Sequence, residues 1–210
     1  REARAAAKLN HRNIVTIFEF AEENNVPYIV MEFLRGVPLG ARISTPPPLT
    51  IDAPMVERWL VSFLRDELTR RGFSRAVVGI SGGVDSAVTA TLAVRALGKA
   101  NVIGVRLPYR ASSADSLAHA QQVIDQLGIE TRTIDISAAA DGYLTAEPEA
   151  DATRRGNVMA RVRMIALFDL SARYGALPLG TGNKSERLLG YFTWHADDSP
   201  PVNPLGDLYK

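Results

Sequence analysis

Cysteine is absent from all 210 residues, so disulfides, thiolate metal sites and a cysteine nucleophile are excluded outright. A reducing cytoplasm is the expected compartment. Charge of one sign is also missing. Lys and Arg number 24 against 23 Asp and Glu, a net charge of +1, which leaves no footprint for nucleic acid or an anionic membrane as partner. No apolar run approaches the roughly 18 to 20 residues of a membrane span, and no secretory apolar core opens the sequence. A phosphate-binding Walker A sequence is lacking too: Gly180-Thr181-Gly182-Asn183-Lys184-Ser185 comes near, but Asn183 stands where a glycine must precede the lysine. What is present suffices to fold. Hydrophobic residues are 46% and charged residues 22%, enough for a real core, and the length accommodates one domain and a small piece. The sequence opens on Arg1 and stops at Lys210, and both ends read as cut.

The chain changes character once, at Ser44-Thr45-Pro46-Pro47-Pro48-Leu49-Thr50-Ile51-Asp52. Three consecutive prolines donate no backbone hydrogen bonds and favour an extended conformation, so residues 44–52 read as a linker. Before it, an Ala-rich helical stretch from Glu2 to Leu9 precedes two β-like runs, Ile14 to Phe20 and Tyr28 to Phe33, with turn-prone Glu22-Glu23-Asn24-Asn25 between them. REARAAAKLNHRNIVTIFEF and PYIVMEFLRGVPL within residues 1–43 resemble part of a bacterial Ser/Thr protein kinase N-lobe. The resemblance puts Glu2 at that family's helix glutamate, Met31 at the gatekeeper and Glu32 to Leu34 at the hinge, with Arg12 in place of the usual proline. No Gly-rich loop or strand lysine precedes this α+β fragment and no HRD or DFG follows it, so it is expected to transfer no phosphate. It reads as a remnant joined to the main domain.

From residue 53 onward, helical and strand patterns alternate. Val56, Trp59, Leu60, Phe63, Leu64 and Leu68 recur at helical spacing and predict an amphipathic helix over 54–71, closed by Gly72. Strands are predicted at Ala76–Ile80, Val102–Leu107, Ile129–Ile136 and Leu177–Gly180. Helices are predicted at Asp85–Leu97, 113–127, 155–174 and 184–190, the long one with Val158, Val162, Ile165 and Phe168 on its inner face. This alternation implies an α/β fold, a parallel sheet with helices on both faces. Ligands of such sheets bind beyond the carboxyl ends of the strands.

The chemistry-bearing segments fall there. In Gly79-Ile80-Ser81-Gly82-Gly83-Val84-Asp85-Ser86 a strand ends, two glycines admit a ligand close to the backbone, and a helix begins with its amides pointing outward. That combination cradles phosphate, and Ser81 and Ser86 add hydroxyl donors. Asp85 is a carboxylate in a phosphate pocket, which is repulsive unless a divalent cation lies between, so it reads as a Mg²⁺ ligand.

SGGVDS resembles the pyrophosphate-loop motif of the adenine-nucleotide α-hydrolase-like ATP pyrophosphatases. Four further segments narrow the likeness: Arg106-Leu107-Pro108-Tyr109, Gly156-Asn157-Val158-Met159-Ala160-Arg161, Leu179 to Thr193, and Asn203 to Lys210. Together, over about residues 54–210, the series resembles the NAD synthetases, which amidate deamido-NAD⁺. The resemblance implies that residues 79–86 bind ATP, that Asp85 and Glu186 hold Mg²⁺, and that Arg106 and Thr181 touch ATP. It implies that Arg161 contacts deamido-NAD⁺ and that Lys210 binds ATP and stabilises charge as pyrophosphate leaves. It further implies a homodimer with substrate at the interface, part of it on the 155–174 helix, and a family fold that continues past Lys210. Arg161 and Arg163 lie about 200° apart on their helix, so one of the two is expected to face solvent.

In the loop after Gly190-Tyr191-Phe192-Thr193, Trp194 and Pro201 replace a lysine and an aspartate that many ammonia-dependent relatives show, while Asp197 remains. No side-chain nucleophile is implied. A nitrilase-like glutaminase needs a catalytic cysteine, and none is available, so ammonia is the expected nitrogen source. Two other readings stand beside this one: another pyrophosphate-loop adenylating enzyme, and an inactive nucleotide-binding module.

Overall fold

The computed structural model describes the backbone of residues 17–23 and 26–31 and the whole of residues 50–210. The expected helix at Glu2–Leu9, the hinge residues Glu32 to Leu34 and the proline run lie outside the described residues. The chain divides into two compact units, Arg1–Thr50 and Ile51–Lys210. In the first, β1 (Ile17–Glu23) pairs antiparallel with β2 (Val26–Met31), with Glu23 opposite Val26 and Ile17 opposite Met31. Glu22 and Glu23, expected in the turn, continue the strand.

The second unit runs α1 (Ala53–Arg70), β3 (Ala76–Gly79), α2 (Val84–Leu97), β4 (Val102–Arg106), α3 (Ala114–Leu127), β5 (Glu130–Thr133), α4 (Ser137–Leu144), α5 (Ala152–Tyr174), β6 (Leu177–Leu179) and α6 (Lys184–Leu189). Its four strands are all parallel, in the order β5-β4-β3-β6. The period-2 alternation of each strand feeds two separate cores. Ala76, Val78, Ile80 and Val102 turn to one face, where α1, α2 and α3 bury Leu64, Leu68, Ala93 and Ile124 against them. Val77, Ile103 and Val105 turn to the other, against Leu167 and Leu170 of α5. The expected α/β sheet with helices on both faces is what forms.

The helices begin where local chemistry starts them. Asp52, Ser113, Asp151 and Asn183 cap α1, α3, α5 and α6, each accepting a first-turn amide hydrogen with its side chain. Gly128 and Gly175 end α3 and α5 in the left-handed conformation.

Three expectations need correction. The inner face of α5 carries Met164, Leu167, Leu170 and Tyr174, whereas Ile165 is 70% exposed and Phe168 41%. On α1, Leu64 and Leu68 are buried as expected, but Trp59 is 76% exposed and Phe63 40%. The strand expected over 129–136 pairs only at Glu130–Thr133, because it lies at the sheet edge with few apolar residues to bury. Its last residues still follow the sheet through single bonds from Ile134 N to Arg106 O and Ile136 N to Pro108 O. After it comes the unforeseen helix α4, whose first residue, Ser137, donates its amide to the Asp135 carboxylate at 2.7 Å. The same Ser137 contacts, side chain first, hold the Asp135 carboxyl below its ordinary value.

Candidate active site

Residues 79–86 leave the carboxyl end of β3, one of the two inner strands, and enter α2. The helix opens on Gly83, which has no side chain to cap it, so its first-turn amides face outward unpaired by a cap. Gly82 sits at φ +87°, and a Cβ there would lie 2.3 Å from the carbonyl oxygen of Ser116 at the start of α3. Only glycine fits, for both reasons. Ser86 is buried and braces the turn. Its hydroxyl donates to Gly83 O at 2.9 Å, accepts from Ser81 N at 3.2 Å and meets Ser81 Oγ at 3.0 Å. Ser81 in turn accepts from Gly83 N at 3.2 Å. In this conformation Ser86 shapes the loop from inside, and Ser81 is the hydroxyl at its cavity side.

Opposite the loop, β6 ends at Gly180-Thr181-Gly182, and α6 begins with a reciprocal capping box. The Asn183 side chain accepts Glu186 N at 2.9 Å, while the Glu186 carboxylate accepts Asn183 N at 3.0 Å. Asn183 also reaches across the sheet edge and donates to Asp85 Oδ1 at 3.4 Å. Lys210 completes the cluster, its ammonium 2.8 Å from Asp85 Oδ2 and 3.9 Å from Glu186 Oε1. The hydrogen bond to Asp85, followed by that carboxylate's charge, raises the Lys210 ammonium above its ordinary value.

Two carboxylates, one in the first turn of α2 and the other in the first turn of α6, thus share one cation. A tethered ammonium already sits where their charges converge. Hard carboxylate oxygens of this kind suit Mg²⁺, whose remaining ligands come from phosphate and water. Among the described residues no group of three or more His, Cys, Asp or Glu forms an all-protein cage.

The tail that delivers Lys210 is fastened to α6. Lys184 N donates to Leu208 O at 2.8 Å and Lys210 N to Ser185 Oγ at 3.1 Å. The Lys184 ammonium pairs with Asp207 at 2.8 Å and lies 5.0 Å from the Tyr209 ring centroid. Asn203 packs against Gly180 and Gly182, where an added Cβ would stand 3.3 Å from its side chain.

Two cavities flank this cluster. One, of about 430 Å³, is lined by Gly79, Ile80, Ser81, Arg106, Thr181 and Arg163 among others. The other, of about 570 Å³, is lined by Asn183, Glu186, Phe192, Trp194 and neighbouring loop residues. Asp197 lies on the wall of both. Arg106, fixed by its Nε bond to Thr133 Oγ1 at 3.0 Å, and Thr181 therefore join the loop at the first cavity. Arg161 does not. It is exposed, donates Nε to Trp194 O at 3.1 Å and borders a smaller cavity with Asn157 and Arg154. It secures the 193–201 loop together with the Thr193–Asn157 side-chain bond of 2.9 Å.

Its neighbour Arg163 faces inward instead. Half-buried, it donates Nε to Leu107 O at 3.1 Å, and burial alone lowers its guanidinium from the ordinary value, with no carboxylate contributing. A desolvated cation on the wall of a ligand cavity favours an anion there. The opposition of 161 and 163 was readable in the sequence, but which one the sheet covers was not. Asn183 also went unassigned, although an Asn three residues before a Glu is a legible capping box.

Comparison with known proteins concerns the second unit of the chain. The NAD synthase family model matches residues 56–210. An NH₃-dependent NAD⁺ synthetase of Chlorobium phaeovibrioides is 52% identical over 162 residues, covering 77% of this chain and 58% of that protein. One from Chlorobaculum tepidum is 49% identical over 165 residues, 79% of this chain and 60% of its own. The chain thus spans less than two thirds of the length of these curated relatives. Among solved structures, the NH₃-dependent NAD synthetase of Campylobacter jejuni in complex with nitrate superposes with a TM-score of 0.73 at 35% identity, over 76% of this chain and 69% of that one. An NMN synthetase from Francisella tularensis gives 0.73 at 31% identity, over 77% and 67%.

Proposed function

This chain belongs to the NAD synthase family, and from that premise we propose that residues 53–210 form an ammonia-dependent NAD⁺ synthetase domain that converts deamido-NAD⁺ to NAD⁺ with ATP. The observation that carries the reading is the convergence of Asp85, Glu186 and Lys210 beside a glycine loop that ends a central parallel strand. Phosphate fits the uncapped helix start, and the paired carboxylates fit the Mg²⁺ that accompanies ATP.

In this reading ATP occupies the cavity of Ser81, Arg106, Thr181 and Arg163, with its phosphates toward residues 82–86. Deamido-NAD⁺ takes the second cavity, bounded by the loop that Arg161 secures. A carboxylate oxygen of the nicotinate attacks the α-phosphorus and the bond to the bridging α–β oxygen breaks, giving an acyl-adenylate and pyrophosphate. Ammonia then adds to the acyl carbon, AMP leaves with the carboxylate oxygen, and the surplus proton passes to water. Bound at Asp85 and Glu186, Mg²⁺ would neutralise phosphate charge. The protein's own part is positioning and charge stabilisation: loop amides on phosphate, Arg163 and Lys210 as cations for the departing pyrophosphate.

The curated relatives that the chain matches are named NH₃-dependent, which favours ammonia as the nitrogen donor. The reading carries a homodimer, for which the exposed Ile165 and Phe168 on α5 are the supporting feature, and a cytoplasmic location. No described helix is long and apolar enough to cross a membrane.

The test is ammonia-dependent NAD⁺ formation by this chain and by Asp85→Ala, with nicotinate mononucleotide as a parallel acceptor. Amidation of deamido-NAD⁺ that Asp85→Ala abolishes supports the reading. Preference for the mononucleotide would reassign the substrate, and equal rates in the two proteins would sink the role of the loop.

A further inference from the structure

We propose that Asn183 is the positioning residue that holds the two metal-facing carboxylates in register, an inference that rests on the reading of Asp85 and Glu186 as cation ligands. The case lies in which oxygens are taken. Asn183 engages Asp85 through Oδ1, at 3.4 Å from its Nδ2, and Glu186 through Oε2, at 3.0 Å from its backbone nitrogen. The other oxygen of each carboxylate, Asp85 Oδ2 and Glu186 Oε1, is the one directed at the Lys210 ammonium. One residue therefore occupies the outer edge of both carboxylates and leaves their inner edges facing a common cation. Asn183 itself is 3% exposed, so its rotamer is set by packing.

Asparagine meets both demands with one side chain. Its carbonyl oxygen accepts Glu186 N at 2.9 Å and caps α6, while its amide nitrogen donates to Asp85. Serine caps a helix equally well but is too short to reach across. Aspartate caps as well but would set an acceptor against the Asp85 carboxylate, where like charges repel. Without the amide arm, the Asp85 carboxylate at the start of α2 turns away from Glu186 at the start of α6, and the cation loses one of its two fixed oxygens.

The experiment measures Mn²⁺ binding to the full chain by electron paramagnetic resonance in the presence of α,β-methylene-ATP, alongside thermal unfolding. The proteins are the parent, Asn183→Ser, Asn183→Gly, Asp85→Asn and Glu186→Gln. Loss of one hydrogen bond to a charged group weakens apparent Mn²⁺ affinity by about ten-fold in Asn183→Ser. The unfolding midpoint stays near the parent's, and binding is recovered at raised Mn²⁺. Asn183→Gly, also tolerated at an N-cap, loses the same arm and shows a loss of similar size.

Parent-like Mn²⁺ binding in Asp85→Asn and Glu186→Gln overturns the metal-site reading and this role with it. Weakened binding in those two with parent-like binding in both Asn183 variants overturns the role of Asn183 alone. So does a loss in the Asn183 variants that follows a fall in melting temperature and is not recovered at saturating Mn²⁺.

Discussion

Single residues carry the sharpest consequences. Gly82 combines a positive φ with a Cβ position 2.3 Å from Ser116 O. Gly82→Ala must therefore move α3 or distort the loop, and we expect about 1–3 kcal/mol of lost stability in denaturant unfolding, together with loss of ATP binding. Arg163 is expected to matter through its charge and its fork at once. Arg163→Gln and Arg163→Lys should both weaken ATP binding in calorimetry by about ten-fold, because lysine cannot hold Leu107 O and an anion together. A loss in Arg163→Gln that Lys fully restores would show that charge alone suffices.

The Lys184–Asp207 pair sets a pH dependence of known sign. The bond to Lys184, then its charge, holds Asp207 below 3.8, so its stabilisation is complete above that value and is lost as pH falls through the depressed folded value. Asp207 and its charge raise Lys184 above 10.5, so that side is complete below 10.5 and lost as pH climbs through the raised one. Asp207→Asn should flatten this part of the acid limb in a series of melting curves below about pH 4.

Elements were legible to the extent that their own residues specify them. Apolar runs and turn glycines marked all four strands of the main sheet, whereas the caps Asp52, Ser113 and Asn183 emerged only with the structure. Ser113→Ala should cost about 1 kcal/mol of stability, measured by unfolding, since it removes the side-chain cap of α3. Helix α4 is not legible in the sequence because Ser-Ala-Ala-Ala-Asp-Gly-Tyr-Leu has little periodicity and its N-cap position carries no capping side chain. The inner face of α5 was misassigned for a different reason. That helix is apolar on two sides, and spacing identifies a stripe without saying which stripe the sheet covers. The same ambiguity left Trp59 and Phe63 of α1 outside.

At the scale of the molecule, that second stripe becomes a prediction about assembly. Ile165→Glu on the exposed side of α5 should convert a dimer to a monomer in light scattering while leaving the melting temperature of the fold close to the parent's. An unchanged mass would mean that α5 is not in the interface.

The sequence by itself determined that the main domain is a parallel α/β sheet, that a glycine turn ends a strand and opens a helix, and that no thiol chemistry is available. Those properties are local, written in periodicity, turn residues and composition. Only the tertiary structure decided that Arg163 faces the cavity and Arg161 the loop, that Ser86 braces the turn from within, and that one asparagine joins carboxylates from two helix starts. Those facts depend on which strands become neighbours. The β3–β6 pairing joins segments about a hundred residues apart, and no local pattern encodes the direction in which side chains at their ends will meet.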